Sequence, residues 1–171
     1  MTRTYQVSGS VTIATDATTA YAHVSDPTQM GQSSPENLGA TVVNAREEGA
    51  HVGMVFHGHN RRGSARWTTR CVVTAADPGH RFAFRVDAIG LGTPRLHAPI
   101  ATWEYRFEEV PGGTLVSETW TDDRRSWPDI AARIFDAVVT RGQTFADFQR
   151  GNIKTTLDRL KTMLETPGVA N

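Results

Sequence analysis

Glu118 is the residue whose type and setting point most directly to chemistry. It lies in residues 114 to 122 (TLVSETWTD), where alternation sets Val116, Glu118 and Trp120 on one face against Ser117 and Thr119 on the other. A carboxylate in an apolar layer is costly unless it is paired, hydrogen-bonded, protonated, or next to water or a ligand. Two readings follow. Desolvation would raise its pKa toward neutrality and suit it to general acid or base work on a buried substrate, assisted by Asn60 or Tyr105. Alternatively it pairs with an arginine or with Asn60 and fixes the sheet. The residues alone leave both open.

Other candidates carry the same ambiguity. Asn60 stands beside the turn Arg61-Arg62-Gly63, where its amide either orients a ligand carbonyl or satisfies turn backbone. Phe56, Trp67, Thr69, Phe84, Trp103, Trp120, Phe145 and Phe148 are the set that would line a pocket for a flat or aliphatic ligand, with Tyr105 and the tryptophan N–H groups as polar handles, or would fill a core. His57 and His59 have a spacing that puts two imidazoles on one face of a strand, as some metal sites require. No third ligand is evident nearby, and Arg66 and Arg70 share their face, so they read as a solvated basic patch. Cys71, the single cysteine, has no evident base beside it and reads as core. Ser25-Asp26 reads as a helix cap, and Asp122-Asp123-Arg124-Arg125 as a solvated strand end.

The elements that must position these groups are legible in the periodicity. Residues 5 to 13 alternate Tyr5, Val7, Gly9, Val11 and Ile13 against Gln6, Ser8, Ser10 and Thr12, the pattern of a half-buried strand. Asp16 caps a short helix carrying Ala17, Ala20, Tyr21 and Val24, and Asp26-Pro27 starts a second one toward Met30. Further strands are expected near 40 to 48, 53 to 61, 65 to 75, 81 to 88, 100 to 110 and 114 to 122, joined as antiparallel hairpins. Residues 90 to 99 (GLGTPRLHAP) are too broken by Gly and Pro to continue a strand and read as a loop near an entrance. After Pro128 the apolar positions Ile130, Ile134, Val138, Phe145, Phe148, Leu157, Leu160 and Leu164 fall mostly at helical spacings, interrupted by Gly142 and Gly151, which predicts one long helix.

Hairpin arithmetic assigns faces. A two-residue loop within residues 62 to 64 makes opposed residue numbers sum to an odd value, so Phe56, Gly58 and Asn60 share a face with Trp67, Thr69, Cys71 and Val73. A four-residue loop over 77 to 80 carries that face to Phe82, Phe84 and Val86, with Arg81, Arg85 and Asp87 outward. A loop at 112 and 113 sets Trp103, Tyr105 and Phe107 beside Val116, Glu118 and Trp120.

The 171 residues suit one α+β domain, residues 1–171, large enough to bury a core without disulfides. Eighteen basic and 18 acidic residues cancel, so overall charge recruits neither nucleic acid nor an anionic membrane. No apolar run approaches a membrane span, and cytoplasmic residence, as a monomer or homodimer, is the default expectation.

The order of elements, seven strands interrupted after the first by two short helices and closed by a long one, resembles the helix-grip fold of the START-like (SRPBCC, Bet v 1-like) superfamily. Val24-Ser25-Asp26-Pro27-Thr28, Gly58-His59-Asn60-Arg61-Arg62-Gly63, Arg66-Trp67 and the stretch Asn152 to Leu160 are similar to its bacterial polyketide cyclase/dehydrase and lipid-transport group. The resemblance implies a cavity between sheet and C-terminal helix rather than a particular reaction. Members include carriers of hydrophobic ligands, hormone receptors, aromatases, cyclases and ring-oxygenase subunits, and no iron-binding triad or iron-sulfur motif of the last kind is present here. The expectation is therefore a protein that binds a small hydrophobic molecule (polyketide, lipid or aromatic metabolite) and uses no cofactor or metal. The alternatives are an aromatase, cyclase or dehydratase acting through Glu118, and an interaction or regulatory subunit, which a solid interior would favour.

Overall fold

Alternation in the first strand is realised as a wet face and a buried one. In the computed structural model, which describes residues 4–45, 49–128, 130 and 144–166, β1 (Gln6–Ile13) buries Val7 and Ile13 and exposes Gln6, Ser8, Ser10 and Thr12. Asp16 then caps α1 (Ala17–Val24), accepting from the Thr19 amide at 2.8 Å, and the helix buries Ala17, Ala20, Tyr21 and Val24. Asp26 caps a 3-10 turn (Pro27–Gln29) with Pro27 leading, and α2 (Met30–Ser33) follows directly.

The remaining strands are β2 (Asn37–Val42), β3 (Val55–Arg62), β4 (Ala65–Asp77), β5 (Arg81–Gly90), β6 (Leu96–Val110) and β7 (Gly113–Asp122). They form one seven-stranded antiparallel sheet in the order β1-β7-β6-β5-β4-β3-β2. Chain neighbours therefore pair as hairpins, and β1 returns to close the far side of β7. This is the helix-grip α+β fold that the order of elements predicts.

The long helix, α3 (Phe145–Glu165), turns Ala146, Gln149, Ile153, Thr156, Leu157 and Leu160 inward at spacings of three and four. It begins later than the periodicity suggests. Thr144 is extended (φ −70°, ψ 147°) and caps the helix by accepting from the Asp147 amide at 3.1 Å, so no single helix runs from Pro128 to Leu164. Ile134, Val138 and Gly142 lie outside the described residues, and Ile130 is exposed. Gly151 does not interrupt α3: it sits within the helix, with open space where a side chain would be. Where α3 crosses β1 the approach is close. A Cβ on Gly9 would stand 2.8 Å from Ile153 Cγ2, so only glycine admits the helix at this depth.

Two other boundaries differ from expectation. β2 lies at Asn37–Val42 rather than 40 to 48, because Asn44 turns back and bonds the edge of β3, its Oδ1 accepting from the Val55 amide at 2.6 Å. β6 begins at Leu96 and runs straight through Pro99, which the composition placed in a loop. The register shifts between Val86 opposite Ala101 and Ala88 opposite His97, so Pro99 sits in a bulge where its missing N–H interrupts no ladder bond.

Facing assignments hold even where the connections differ in length. Phe56 opposes Cys71 and Arg62 opposes Ala65 across the Gly63-Ser64 turn. Asp77 opposes Arg81, a three-residue connection instead of four, and a shift between Val73 and Ala75 restores the pairing of Val73 with Phe84. The third hairpin turns on Pro111-Gly112, one residue earlier than 112 and 113, which brings Tyr105 directly opposite Glu118.

Candidate ligand-binding site

A cavity of about 530 Å³ lies between the inner face of the sheet and α3. Phe56, Trp67, Thr69, Phe84, Trp103, Trp120 and Phe145 line it, together with Asn60, Tyr105 and Glu118. Phe148, expected among them, does not: the Arg62 guanidinium lies over its ring at 3.8 Å, and the ring belongs to a cluster that joins the helix to β3. Among the described residues the walls are mostly apolar, which suits the volume to a ligand of drug size.

Glu118 stands in this wall with 2% of its surface exposed. Its Oε1 accepts from the Tyr105 hydroxyl at 2.8 Å, and its Oε2 is buried without a partner. Among the described residues neither an arginine nor Asn60 pairs with it, contrary to the structural reading of the sequence. Burial, only partly opposed by the Tyr105 hydrogen bond, pushes the carboxyl up to about 8, so it is mostly protonated at neutral pH. Desolvation and then the neighbouring Glu118 push the Tyr105 phenol well above its ordinary value, and the residue lines the cavity. The pair therefore presents neutral, proton-bearing groups at neutral pH. Trp120 adds an indole N–H that is likewise buried and unpartnered.

Asn60 has other duties. Its Nδ2 donates to the Gly58 carbonyl at 3.1 Å and to Thr69 Oγ1 at 3.3 Å, and its Oδ1 accepts from Asn37 Nδ2 at 3.3 Å. It braces the strand rather than the turn and does not touch Glu118. Cys71 is fully enclosed, and desolvation pushes its thiol up to about 12, leaving no thiolate for nucleophilic work. His57 and His59 lie on the outer face, where His59 Nε2 is 2.9 Å from Thr41 Oγ1.

Residues 4–165 match the family described as "Polyketide cyclase / dehydrase and lipid transport". The chain belongs to that family. No curated protein gives a significant match. Among solved structures of this polyketide cyclase/dehydrase and lipid-transport fold, the Polyketide_cyc-like protein Cgl2372 from Corynebacterium glutamicum is 25% identical, with a TM-score of 0.64 over 96% of this chain and 94% of that one. A START superfamily protein from Mycobacterium smegmatis shares the fold at 14% identity and TM-score 0.66, covering 95% of this chain and 98% of that one. The di-domain ARO/CYC StfQ from the steffimycin biosynthetic pathway shares it at 15% identity and TM-score 0.68, over 94% of this chain; the chain spans 50% of StfQ.

This family member also has wall residues that the sequence reading missed. At one edge of the cavity Glu36 accepts from Arg62 Nε at 2.5 Å and from Asn152 Nδ2 at 3.0 Å, tying the segment before β2 to β3 and α3. Burial raises the Glu36 carboxyl, with the Arg62 guanidinium and the Asn152 amide pulling the other way. Arg62 was assigned to the hairpin loop, yet it shares the parity of Phe56 and Asn60, and Gln149, Asn152 and Thr156 form a polar stripe on the inward side of α3, so signals for this edge are present in the sequence. The strand end was misread too: Asp122 and Arg124 are fully buried, with Arg124 Nε 2.9 Å from Asp122 Oδ1, not solvated.

Proposed function

We propose that the protein binds a small, largely apolar molecule bearing an oxygen acceptor in the cavity between sheet and α3. The observation that carries this is the neutral Glu118 carboxyl in the mostly apolar wall of a chamber of about 530 Å³. Apolar area supplies the attraction, and a carbonyl or hydroxyl oxygen of the ligand would answer the proton that no protein group accepts. Polyketides, lipids and aromatic metabolites fit this description, and the family's membership supports the reading. A purely protein-docking role would be favoured by a solid interior, which this chain lacks. Native mass spectrometry of the purified protein, followed by quenching of Trp67, Trp103 and Trp120 fluorescence with a panel of polyketide-like and fatty compounds, tests it. A co-purified or saturably bound apolar compound is the expected result; absence of binding across the panel overturns the proposal.

A second reading rests on the same carboxyl. Held protonated with Tyr105 beside it, Glu118 is suited to donate a proton to a bound carbonyl and recover it later, as cyclisation or dehydration requires. On this reading Glu118→Gln retains binding and reduces turnover by about 100-fold or more. Comparing kcat and the ligand Kd for the two proteins checks it, and unchanged turnover in the variant removes Glu118 from the chemistry.

A further inference from the structure

A second, much smaller chamber, of about 20 Å³, lies on the other side of Tyr105. Its polar walls come from several elements: His23 of α1, Gln29 of the 3-10 turn, Ser33 of α2, Tyr105 of β6 and Thr156 of α3. Ser33, Tyr105 and Thr156 also line the large cavity, so Tyr105 stands in the partition between the two spaces. The chamber has the size of a site for about one water, and a water needs two to four polar partners, which these side chains supply.

His23 gives the chamber a direction. Its Nε2 is buried with no hydrogen-bond partner, while the residue as a whole is only partly buried, so the ring bridges the interior and the outside. Burial holds the imidazole below its ordinary value, with Asp26 opposing, so it is neutral at pH 7 and can donate at one nitrogen while accepting at the other. Among the described residues no Lys, Arg, Asp or Glu lines the chamber, and the charged or titratable groups around the route are Asp26 beside His23 and Glu118 beyond Tyr105.

We propose that this chamber is a proton-relay station, in which a water held between His23 Nε2 and the Tyr105 hydroxyl connects buried Glu118 to solvent. The hydroxyl already donates to Glu118 Oε1 and keeps a lone pair with which to accept from the water. To reprotonate a Glu118 carboxylate, Tyr105 gives up its phenolic proton, the water reprotonates the phenol oxygen, and His23 Nε2–H refills the water. In the same transfer a solvent hydronium protonates the opposite imidazole nitrogen, so the ring passes from one neutral tautomer to the other and no imidazolate forms. Each O–H or N–H bond broken along the chain is matched by one formed, and no charge is stranded inside. His23 thereby acts as a positioning residue, through Tyr105, and touches no ligand.

The relay rests on the reading of Glu118 as a neutral carboxyl, and infrared spectroscopy separates the two. The carbonyl stretch of a protonated carboxyl, assigned to Glu118 by its loss in Glu118→Gln, shifts when the proton exchanges for deuterium after rapid mixing with heavy water. His23→Gln keeps a polar group that can hold the water but cannot shuttle a proton, and Thr156→Val removes one wall hydroxyl at nearly constant shape. The expected result is exchange slowed about 100-fold in His23→Gln, the scale of losing a positioned proton donor, with ligand binding retained in that variant, and exchange slowed less in Thr156→Val. If His23→Gln does not fold, slowing in Thr156→Val carries the same meaning. Equal exchange rates in wild type and the folded variants overturn the relay while leaving the neutral carboxyl intact; absence of the band in the wild type overturns both.

Discussion

Glu118 and Asp122 point to the same face of β7, are 2% and 1% exposed, and meet opposite surroundings. Asp122 Oδ1 accepts from the Arg124 backbone amide at 3.0 Å and from its Nε at 2.9 Å, and Oδ2 accepts from Nη2 at 3.0 Å. The guanidinium in turn lies over Phe145 at 4.8 Å, so the pair staples the end of β7 to the start of α3. Glu118, two pleats earlier and beside the cavity, receives one phenol and, among the described residues, no cation. One strand thus buries a carboxyl in two ways: as part of a charged pair whose role is architectural, and as a neutral acid whose proton remains available.

The comparison breaks most visibly at the charged end. Arg124→Met removes the guanidinium that pairs with buried Asp122 and is expected to cost about 3–5 kcal/mol, measured as a drop in the urea unfolding free energy. Adding Asp122→Leu should recover much of that loss, because apolar groups of similar shape in place of both partners need no buried ion pairing. A small loss in the single variant would make the pair incidental.

At the neutral end the effect appears as a slope. The folded-state pKa of Glu118 is raised, so between its ordinary value of 4.5 and about 8 the native protein holds a proton that the unfolded chain has lost. This contribution to stability is fully present below pH 4.5 and is lost as pH rises to about 8, by up to about 1.4 kcal/mol per pH unit. Glu118→Gln removes the slope. Unfolding free energies of the two proteins from pH 4 to 9 should diverge in favour of the variant as pH rises, and parallel curves would show that Glu118 ionises normally. Smaller still is Tyr105→Phe, which deletes the one hydrogen bond to Oε1 and should cost about 1–3 kcal/mol. Because that bond lowers the Glu118 pKa, its loss should move the infrared titration of the carboxyl to higher pH.

Facing is the part of this fold that sequence states most clearly, and partnership the part that it states least. Period-two alternation and even-numbered turns fix which side of the sheet Phe84, Trp103 and Glu118 occupy, and a bulge that adds a residue in one place can cancel a turn that is short by one in another, as between Val73 and Ala75. Which residue lies opposite is more fragile. A turn at 112 and 113 would have set Tyr105 against Trp120; the observed turn on Pro111-Gly112 sets it against Glu118 and creates the central hydrogen bond of the site. Charged residues at strand ends were read as solvated because composition carries no depth: Arg124 is a polar residue in sequence and a buried one in space. The start of α3 was missed for a similar reason. Apolar spacing continued through Thr144, and only the extended backbone there, stabilised by a local cap, ends the run.

The close approach at Gly9 has a consequence for the size of the cavity. The residues that line a chamber are usually taken to set its capacity, yet here the distance between its two walls is governed from behind, by a hydrogen atom on β1 against which Ile153 rests. A methyl group at that point would act as a shim, levering the helix off the sheet and widening the space without altering one residue that a ligand would touch. Relatives with the same lining and a different residue at this crossing would then differ in the girth of molecule they admit, and the selectivity of the grip would be written on its hinge side.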